Sequence, residues 1–198
     1  IMACSQITKE ALERLRGMGV LYRCFRTRRE LMALAGVAPH ADDPADPQAF
    51  SVRPHPPGEE AERLARGDAF AWRISLERAS AVLGGFDRLD WIEEGEVRPV
   101  RPERLGDMVL GRKDIGAGYV LASVIDDAAQ GISHVIRGVD LSPVTDIQRV
   151  LQALLGLPAP VYRHHRLLLD ENGKRFAKRD GAVTLRALRE GGVSAGAL

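Results

Sequence analysis

The residues best suited to chemistry lie near the C-terminal end of the chain. Asn172-Gly173 is a tight-turn pair, because both residues tolerate the positive φ that a hairpin requires. It follows the apolar run Leu167-Leu168-Leu169, which reads as a strand. After the turn, Lys174, Arg175, Lys178 and Arg179 place four cations in six residues, with Phe176 and Ala177 between them. Such a loop can meet a polyanion, for example the phosphates of ATP. From charge alone, a solvated basic turn is the commoner reading.

A second group lies upstream. It comprises Tyr119, the pair Asp126-Asp127, Arg137 and Asp140. Taken by itself, Tyr119 is as well explained as a core tyrosine. Arg137 has a structural alternative too, a salt bridge with Asp126, Asp127 or Asp140. His164 and His165 are neighbours on an expected strand and so face opposite sides. A core histidine is the favoured reading of His164; bordering a nucleotide is the alternative. The five histidines show no ligand spacing, and Cys24 has no histidine near it in sequence. Neither Gly-x-Gly-x-x-Gly nor Gly-x-x-x-x-Gly-Lys-Ser/Thr occurs, which removes the two common phosphate-loop fingerprints.

The elements that must position these groups follow from periodicity and punctuation. Residues 8–18 read as a helix capped by Thr8 and ended by Gly19. Val20-Leu21-Tyr22 is extended. Thr27-Arg28-Arg29-Glu30 has the form of a capping box, opening a short helix to about Ala35. The proline-rich residues 37–57 read as loop. Glu59–Arg66 is expected to be a helix closed by Gly67, and Ala69–Ile74 a strand. Leu89, Trp91 and Ile92 suggest another strand, and residues 98–105 a connector. Further strands are expected at Met108–Leu110, Tyr119–Ile125 and Ile132–Ile136. Ser142 and Pro143 open a helix that Gly156 closes, and a strand with His164 follows. Strand, helix and strand at this spacing form a βαβ unit with a parallel sheet. Ligands of open α/β sheets bind beyond the carboxyl ends of the strands, where Asp126-Asp127 and Arg137 fall in this reading.

Composition bounds the answer. The chain has 198 residues, 45% of them apolar and 28% charged, as in an ordinary globular protein. No apolar run approaches a membrane span, and the first residues lack the pattern of a signal peptide. A net charge of +1 means that any nucleic-acid affinity must come from a local basic face. Two cysteines make no disulfide framework, so a cytoplasmic, reducing setting is expected.

Several ordered motifs resemble the class I aminoacyl-tRNA synthetases that activate glutamate and glutamine. Gly118-Tyr119-Val120-Leu121-Ala122-Ser123-Val124-Ile125-Asp126-Asp127 is similar to their Tyr-x-Leu-Ala-x-Val-x-Asp-Asp segment. Gln130-Gly131-Ile132-Ser133-His134-Val135-Ile136-Arg137-Gly138-Val139-Asp140-Leu141 is similar to their Gln-Gly-Val-Thr-His-Val-x-Arg-Gly-x-Asp-Leu. Thr145, Gln148, Tyr162 and His164 match the helix and strand that follow. Gly106–Leu110, and Tyr22 with Cys24, Thr27 and Arg28, match upstream. Arg175, Phe176, Ala177, Lys178 and Arg179 align with the signature loop, with arginine for its first lysine and alanine for its serine.

The resemblance implies an α/β fold. It is a partial class I synthetase nucleotide-binding (Rossmann-like) fold carrying an inserted α+β acceptor-binding-like subdomain. The implied division is 1–20 as a helical remnant of the first half of that fold, 21–105 as the insertion, 106–160 as the second half, and 161–198 as the signature-loop segment. Tyr119 and Arg137 are implied to hold L-glutamate, the planar fork of Arg137 pairing with a carboxylate. Lys178, as the catalytic residue, and Arg175 are implied to hold ATP, which brings Mg²⁺ with it. The product is glutamyl-AMP, and the acceptor is tRNA. The nearest form is the short paralogue that glutamylates queuosine of tRNA(Asp), expected to be a monomer. A truncated glutamyl-tRNA synthetase domain and a non-catalytic tRNA-binding remnant are the alternatives. The family's other signature, a His-x-Gly-His-like motif, is absent, and residue 1 aligns just after the first half of the fold. The chain alone is therefore expected to be inactive. Cys24 is followed by Arg26 where many members have Cys-x-Cys, so no structural zinc is expected.

Overall fold

The computed structural model of the chain describes residues 2–27, 30–31, 54–112, 116–167, 169, 184–194 and 196. The signature-loop residues Arg175, Phe176, Ala177, Lys178 and Arg179 lie outside them, as do the Asn172-Gly173 turn and, beyond its first helical residues Glu30 and Leu31, the helix expected up to Ala35.

Two four-stranded sheets organise these residues. Sheet A contains β1 (Leu21–Cys24), β2 (Ala71–Ile74), β5 (Val109–Arg112) and β6 (Gly116–Ala117), in that order and antiparallel throughout. Sheet B has the order β4 (Glu96–Pro99), β3 (Asp90–Glu93), β8 (Val161–His165) and β7 (His134–Gly138). In sheet B, β8 runs parallel to both β3 and β7, with Arg137 in register with His164. Each sheet takes strands from both sides of residue 105.

Six helices accompany the sheets among the described residues: α1 (Met2–Gly17), α2 (Pro57–Ala65), α3 (Leu76–Leu83), α4 (Tyr119–Ala129), α5 (Ser142–Leu155) and α6 (Leu185–Glu190). The expected βαβ unit is present as β7–α5–β8. Helix α5 lies at the centre of the core: Ile147, Val150 and Leu151 are fully buried, in one cluster with Leu15, Leu121, Val124, Leu110 and Ile74. Burying a side chain of this size stabilises the fold by about 1.5–3 kcal/mol. Gly156 ends α5 in the left-handed region at φ 63°, where an L side chain is strained. Arg14 Nη2 on α1 donates to the free Leu155 carbonyl at that end, at 3.3 Å.

Several expectations need correction. Tyr119–Ile125 is the start of helix α4, not a strand. Its β-branched and aromatic residues suggested extended backbone, but Val120, Leu121, Val124 and Ile125 are the buried ones, a spacing of helical period. Helix α1 begins at Met2, and Thr8 is buried within it instead of capping it. Ser142 is the first helical residue of α5, and Leu141 holds the cap position. Residues 98–105 are not a plain connector: Glu96–Pro99 pairs with β3 as a hairpin, and Pro102–Arg104 forms a 3₁₀ turn. The hairpin turns at Glu94-Gly95, both at positive φ (49° and 88°), the backbone that matches strand twist. Helix α3 was not expected at all, yet it has both punctuation marks: Ser75 Oγ accepts from Arg78 N at 3.3 Å, and Gly84 closes it at φ 71°. The capping box at Thr27 is present and reciprocal, Glu30 accepting from Thr27 N and Glu30 N donating to Thr27 Oγ1.

Candidate functional site

Arg137 is the centre of the polar structure behind sheet B. It lies near the carboxyl end of β7, half-buried, beside His164 on β8. Its Nε donates to His164 Nε2 at 3.1 Å. Its Nη2 donates twice, to Thr145 Oγ1 at 2.6 Å and to Gln148 Oε1 at 2.8 Å. Thr145 and Gln148 sit three residues apart on α5 and share the face that packs on the sheet; both are fully buried or nearly so. Charge-assisted bonds of this kind are roughly twice as strong as neutral ones. The guanidinium also lies over the Tyr162 ring, Cζ to centroid 5.2 Å, a cation–π contact.

The surroundings of this guanidinium are stiff. Trp91, Tyr162 and His164 form an aromatic cluster with centroids 5.7–6.1 Å apart. Trp91 Nε1 donates to Asp146 Oδ1 at 3.0 Å, and Gln152 Nε2 donates to the Tyr162 hydroxyl at 3.1 Å. Burial pushes the carboxyl of Asp146 and the phenol of Tyr162 up from their ordinary values. Asp127, on α4, is also raised by burial, while the positive charge of Arg137 opposes the rise.

The structure links Arg137 to α4, the helix that begins with Tyr119, through Gln148 and Ser123. Gln148 Nε2 donates to Ser123 Oγ at 2.8 Å, and Ser123 lies one helical turn after Tyr119 on α4. Tyr119 itself is the first residue of that helix and is 59% exposed, so it is not a core tyrosine. The fork of Arg137 departs from the sequence expectation. Its Nε–Nη2 edge, the usual bidentate edge, is turned into the protein and occupied. The end that has no partner among the described residues is Nη1, which can offer two N–H groups from one nitrogen. The core reading of His164 holds in that its side chain is 1% exposed, but it is no inert filler, since it ties Glu93 to Arg137.

Thr145, Gln148, Ser123 and Glu93 are the site residues that reading the sequence for chemistry missed. Thr145 and Gln148 were matched to the family's motif without a role being read from them; Glu93 carries no signal. Lys178 and Arg175 lie outside the described residues. Among the described residues, no group of three or more His, Cys, Asp or Glu could hold a metal ion, and no helix is long and apolar enough to cross a membrane. A cavity of about 670 Å³ lies elsewhere, against β1, β2 and β5, and shares no residue with the Arg137 network.

Comparison with known proteins sets this geometry in a family. Residues 4–197 match the catalytic domain of the tRNA synthetases class I (E and Q). The glutamyl-Q tRNA(Asp) synthetase of Rhodobacter capsulatus is 41% identical over 94% of this chain and 68% of its own length. Those of Nocardia farcinica and Symbiobacterium thermophilum are 42% and 39% identical, and the chain spans 55% and 56% of them. The crystal structure of the glutamate-tRNA synthetase from Elizabethkingia anophelis superposes with a TM-score of 0.64 at 23% identity, covering 89% of this chain and 36% of that one. That superposition bears out the expected α/β synthetase fold. With motifs, fold and relatives in agreement along nearly its whole length, the chain belongs to the class I tRNA synthetases for glutamate and glutamine, among the glutamyl-Q tRNA(Asp) synthetases.

Proposed function

We propose that this chain contributes the glutamate- and phosphate-facing part of a ligase that activates L-glutamate with ATP and transfers it to queuosine of tRNA(Asp). The observation that carries this reading is Arg137. A guanidinium fixed on three acceptors, with one nitrogen left over, is preorganised for an anion. The names of the relatives supply the identity of the amino acid and the tRNA.

In this reading, Arg137 Nη1 and the exposed Tyr119 hydroxyl hold glutamate, one carboxylate oxygen of which attacks the α-phosphorus of ATP. A new oxygen–phosphorus bond forms and the bond to the pyrophosphate oxygen breaks, giving glutamyl-AMP. Lys178 and Arg175 meet the charge that accumulates on the departing phosphates, which enter as the magnesium complex of ATP. No covalent enzyme intermediate is needed; positioning and electrostatics suffice. The acceptor hydroxyl of the tRNA then displaces AMP.

Glutamate-dependent exchange of pyrophosphate into ATP tests this, measured on the protein with the rest of its synthetase fold present. Exchange without tRNA, lost on Lys178→Ala, is the expected result. Exchange that survives Lys178→Ala refutes the assigned role of that residue. Exchange that requires tRNA(Glu) points to a glutamyl-tRNA synthetase instead. Salt-sensitive tRNA binding with no exchange at all points to a non-catalytic tRNA-binding protein.

A further inference from the structure

We propose that Glu93 and His164 are positioning residues for Arg137, a carboxylate–imidazole–guanidinium relay that fixes the direction in which Nη1 points. The proposal rests on the reading of Arg137 as the anion-binding group. Its basis is the direction of each hydrogen bond. An arginine nitrogen only donates, so His164 Nε2, 3.1 Å from Arg137 Nε, must present a lone pair. The Thr145 hydroxyl, 3.4 Å from the same nitrogen, can point its proton there as well. The single ring proton therefore sits on Nδ1, where the Glu93 carboxylate accepts it at 2.6 Å. Glu93 selects the tautomer, and the tautomer makes His164 an acceptor for Arg137.

Each part of the relay is held from elsewhere. Glu93 ends β3 beside the Glu94-Gly95 turn, and its second oxygen meets Arg98 Nε of β4 at 3.3 Å. His164 stacks on Tyr162 with an interplanar angle of 3°, so the ring does not turn freely. The charged and titratable groups facing it are Glu93 from β3, Arg137 from β7 and Tyr162 from its own strand; Thr145 and Gln148 of α5 are neutral, and Asp127 of α4 enters only through Arg137. A second proton on His164 would turn an N–H toward the Arg137 Nε–H. The bond would break and two positive charges would face one another. Arg137 would keep its α5 partners but lose the acceptor that sets its rotation about the side-chain axis, and the leftover nitrogen would swing.

Nitrogen NMR of the full chain, combined with titration of L-glutamate, tests the relay. The expected signature is an Nδ1–H tautomer for His164 at neutral pH, with scalar coupling between Arg137 Nε and His164 Nε2. His164→Leu is expected to weaken glutamate binding about 10-fold, the usual cost of an uncoupled charged hydrogen bond. His164→Gln, whose amide can accept from Arg137 and donate to Glu93, is expected to restore affinity to within about 3-fold. Glutamate bound equally by the wild type and His164→Leu overturns the relay and leaves the reading of Arg137 intact. An Nε2–H tautomer overturns the relay on geometry alone. Wild-type protein that binds no glutamate while showing the expected tautomer overturns the anion-binding reading, and the positioning role with it.

Discussion

Both sheets bury a cluster of polar groups, and the two clusters are built to opposite ends. Behind sheet A, Asp107 uses both carboxylate oxygens: Oδ2 accepts from the Tyr22 hydroxyl at 2.9 Å and Oδ1 from Leu76 N at 3.0 Å. Its carbonyl accepts from Arg73 Nη1. The cluster stitches β1, β2, β5 and the start of α3 together. Burial raises Tyr22 far above the usual phenol range and Asp107 above the usual carboxylate range. Behind sheet B, the cluster converges on one guanidinium and stops short of closing: Arg137 spends Nε and Nη2 on the protein and keeps Nη1. Buried polar groups cost stability unless satisfied, so a cluster centred on a carboxylate with both oxygens occupied is a structural joint. A cluster with one unspent donor held rigid by the others is a binding device.

This contrast predicts that only the sheet B cluster governs glutamate affinity, and the largest effect belongs to it. Arg137→Ala is expected to weaken glutamate binding per folded molecule by about 100-fold, near 3 kcal/mol, and also to cost the fold about 1–3 kcal/mol, since His164, Thr145 and Gln148 lose their donor. Arg137→Lys is expected to recover little, because a single ammonium cannot serve His164, Thr145 and Gln148 at once. Asp107→Ala should lower stability alone. It leaves the Tyr22 hydroxyl and Leu76 N–H without an acceptor and is expected to cost about 2–3 kcal/mol in denaturant unfolding, with glutamate affinity per folded molecule unchanged. A loss of affinity in Asp107→Ala as large as in Arg137→Ala would erase the distinction between the two clusters.

A smaller effect probes how sheet A carries its surface cations. Arg23 lies 4.8 Å from the Trp72 centroid and 5.5 Å from that of Phe70, and it pairs with Glu60 of α2. Arg23→Met keeps the packing of the aliphatic stem and removes the charge. A loss of about 1 kcal/mol is expected, partly screened by salt because both side chains of the ion pair are more than a quarter exposed. Chemical denaturation at low and high salt measures both. A salt-independent loss would assign the effect to ring stacking alone.

Much of sheet B was legible in the sequence and the reason is local. Gly131 and Gly138 bracket β7, Pro143 and Gly156 bracket α5, and the apolar spacing of Ile147, Leu151 and Leu154 is plain. The βαβ unit, and hence the placement of Arg137 beside His164, follows from them. Sheet A was harder because its order is non-local: β1 pairs with a strand some fifty residues on, and β5 with the same strand from the other side. Helix α4 was misread because Tyr119-Val120 and Val124-Ile125 are strong strand formers. Tertiary burial of one helical face overrides that preference. Arg137 was legible as chemistry through its motif, whereas the orientation of its fork was not. Orientation depends on Glu93, which no spacing links to residue 137 and which only strand pairing brings within reach of His164.

The finest test asks whether the two clusters differ in anything but closure. Each sheet has a well-buried carboxyl raised by burial: Asp107 behind sheet A, and Asp146 behind sheet B, where it accepts from Trp91 Nε1. A carboxyl whose value rises on folding holds its proton more tightly in the folded state. Its contribution to stability is therefore fullest below the unfolded value of 3.8 and falls as pH climbs through the raised folded value. Asp146→Asn cannot titrate, and its amide oxygen can still receive Trp91 Nε1. It gives up the second oxygen, so its absolute stability can move either way, and the slope is the quantity to read. Relative to wild type, the variant is expected to gain stability as pH rises from about 3 through the raised value, and the difference should be flat above it. Asp107→Asn is expected to show a difference of the same sign. Neither carboxyl faces the unspent nitrogen of Arg137, so both should behave as structural groups whichever sheet they support. Denaturant unfolding of wild type and both variants at a series of pH values decides this. A slope of opposite sign in Asp146→Asn would mean that the carboxylate there is favoured on folding, and would extend the electrostatics of the Arg137 site as far as α5 and Trp91.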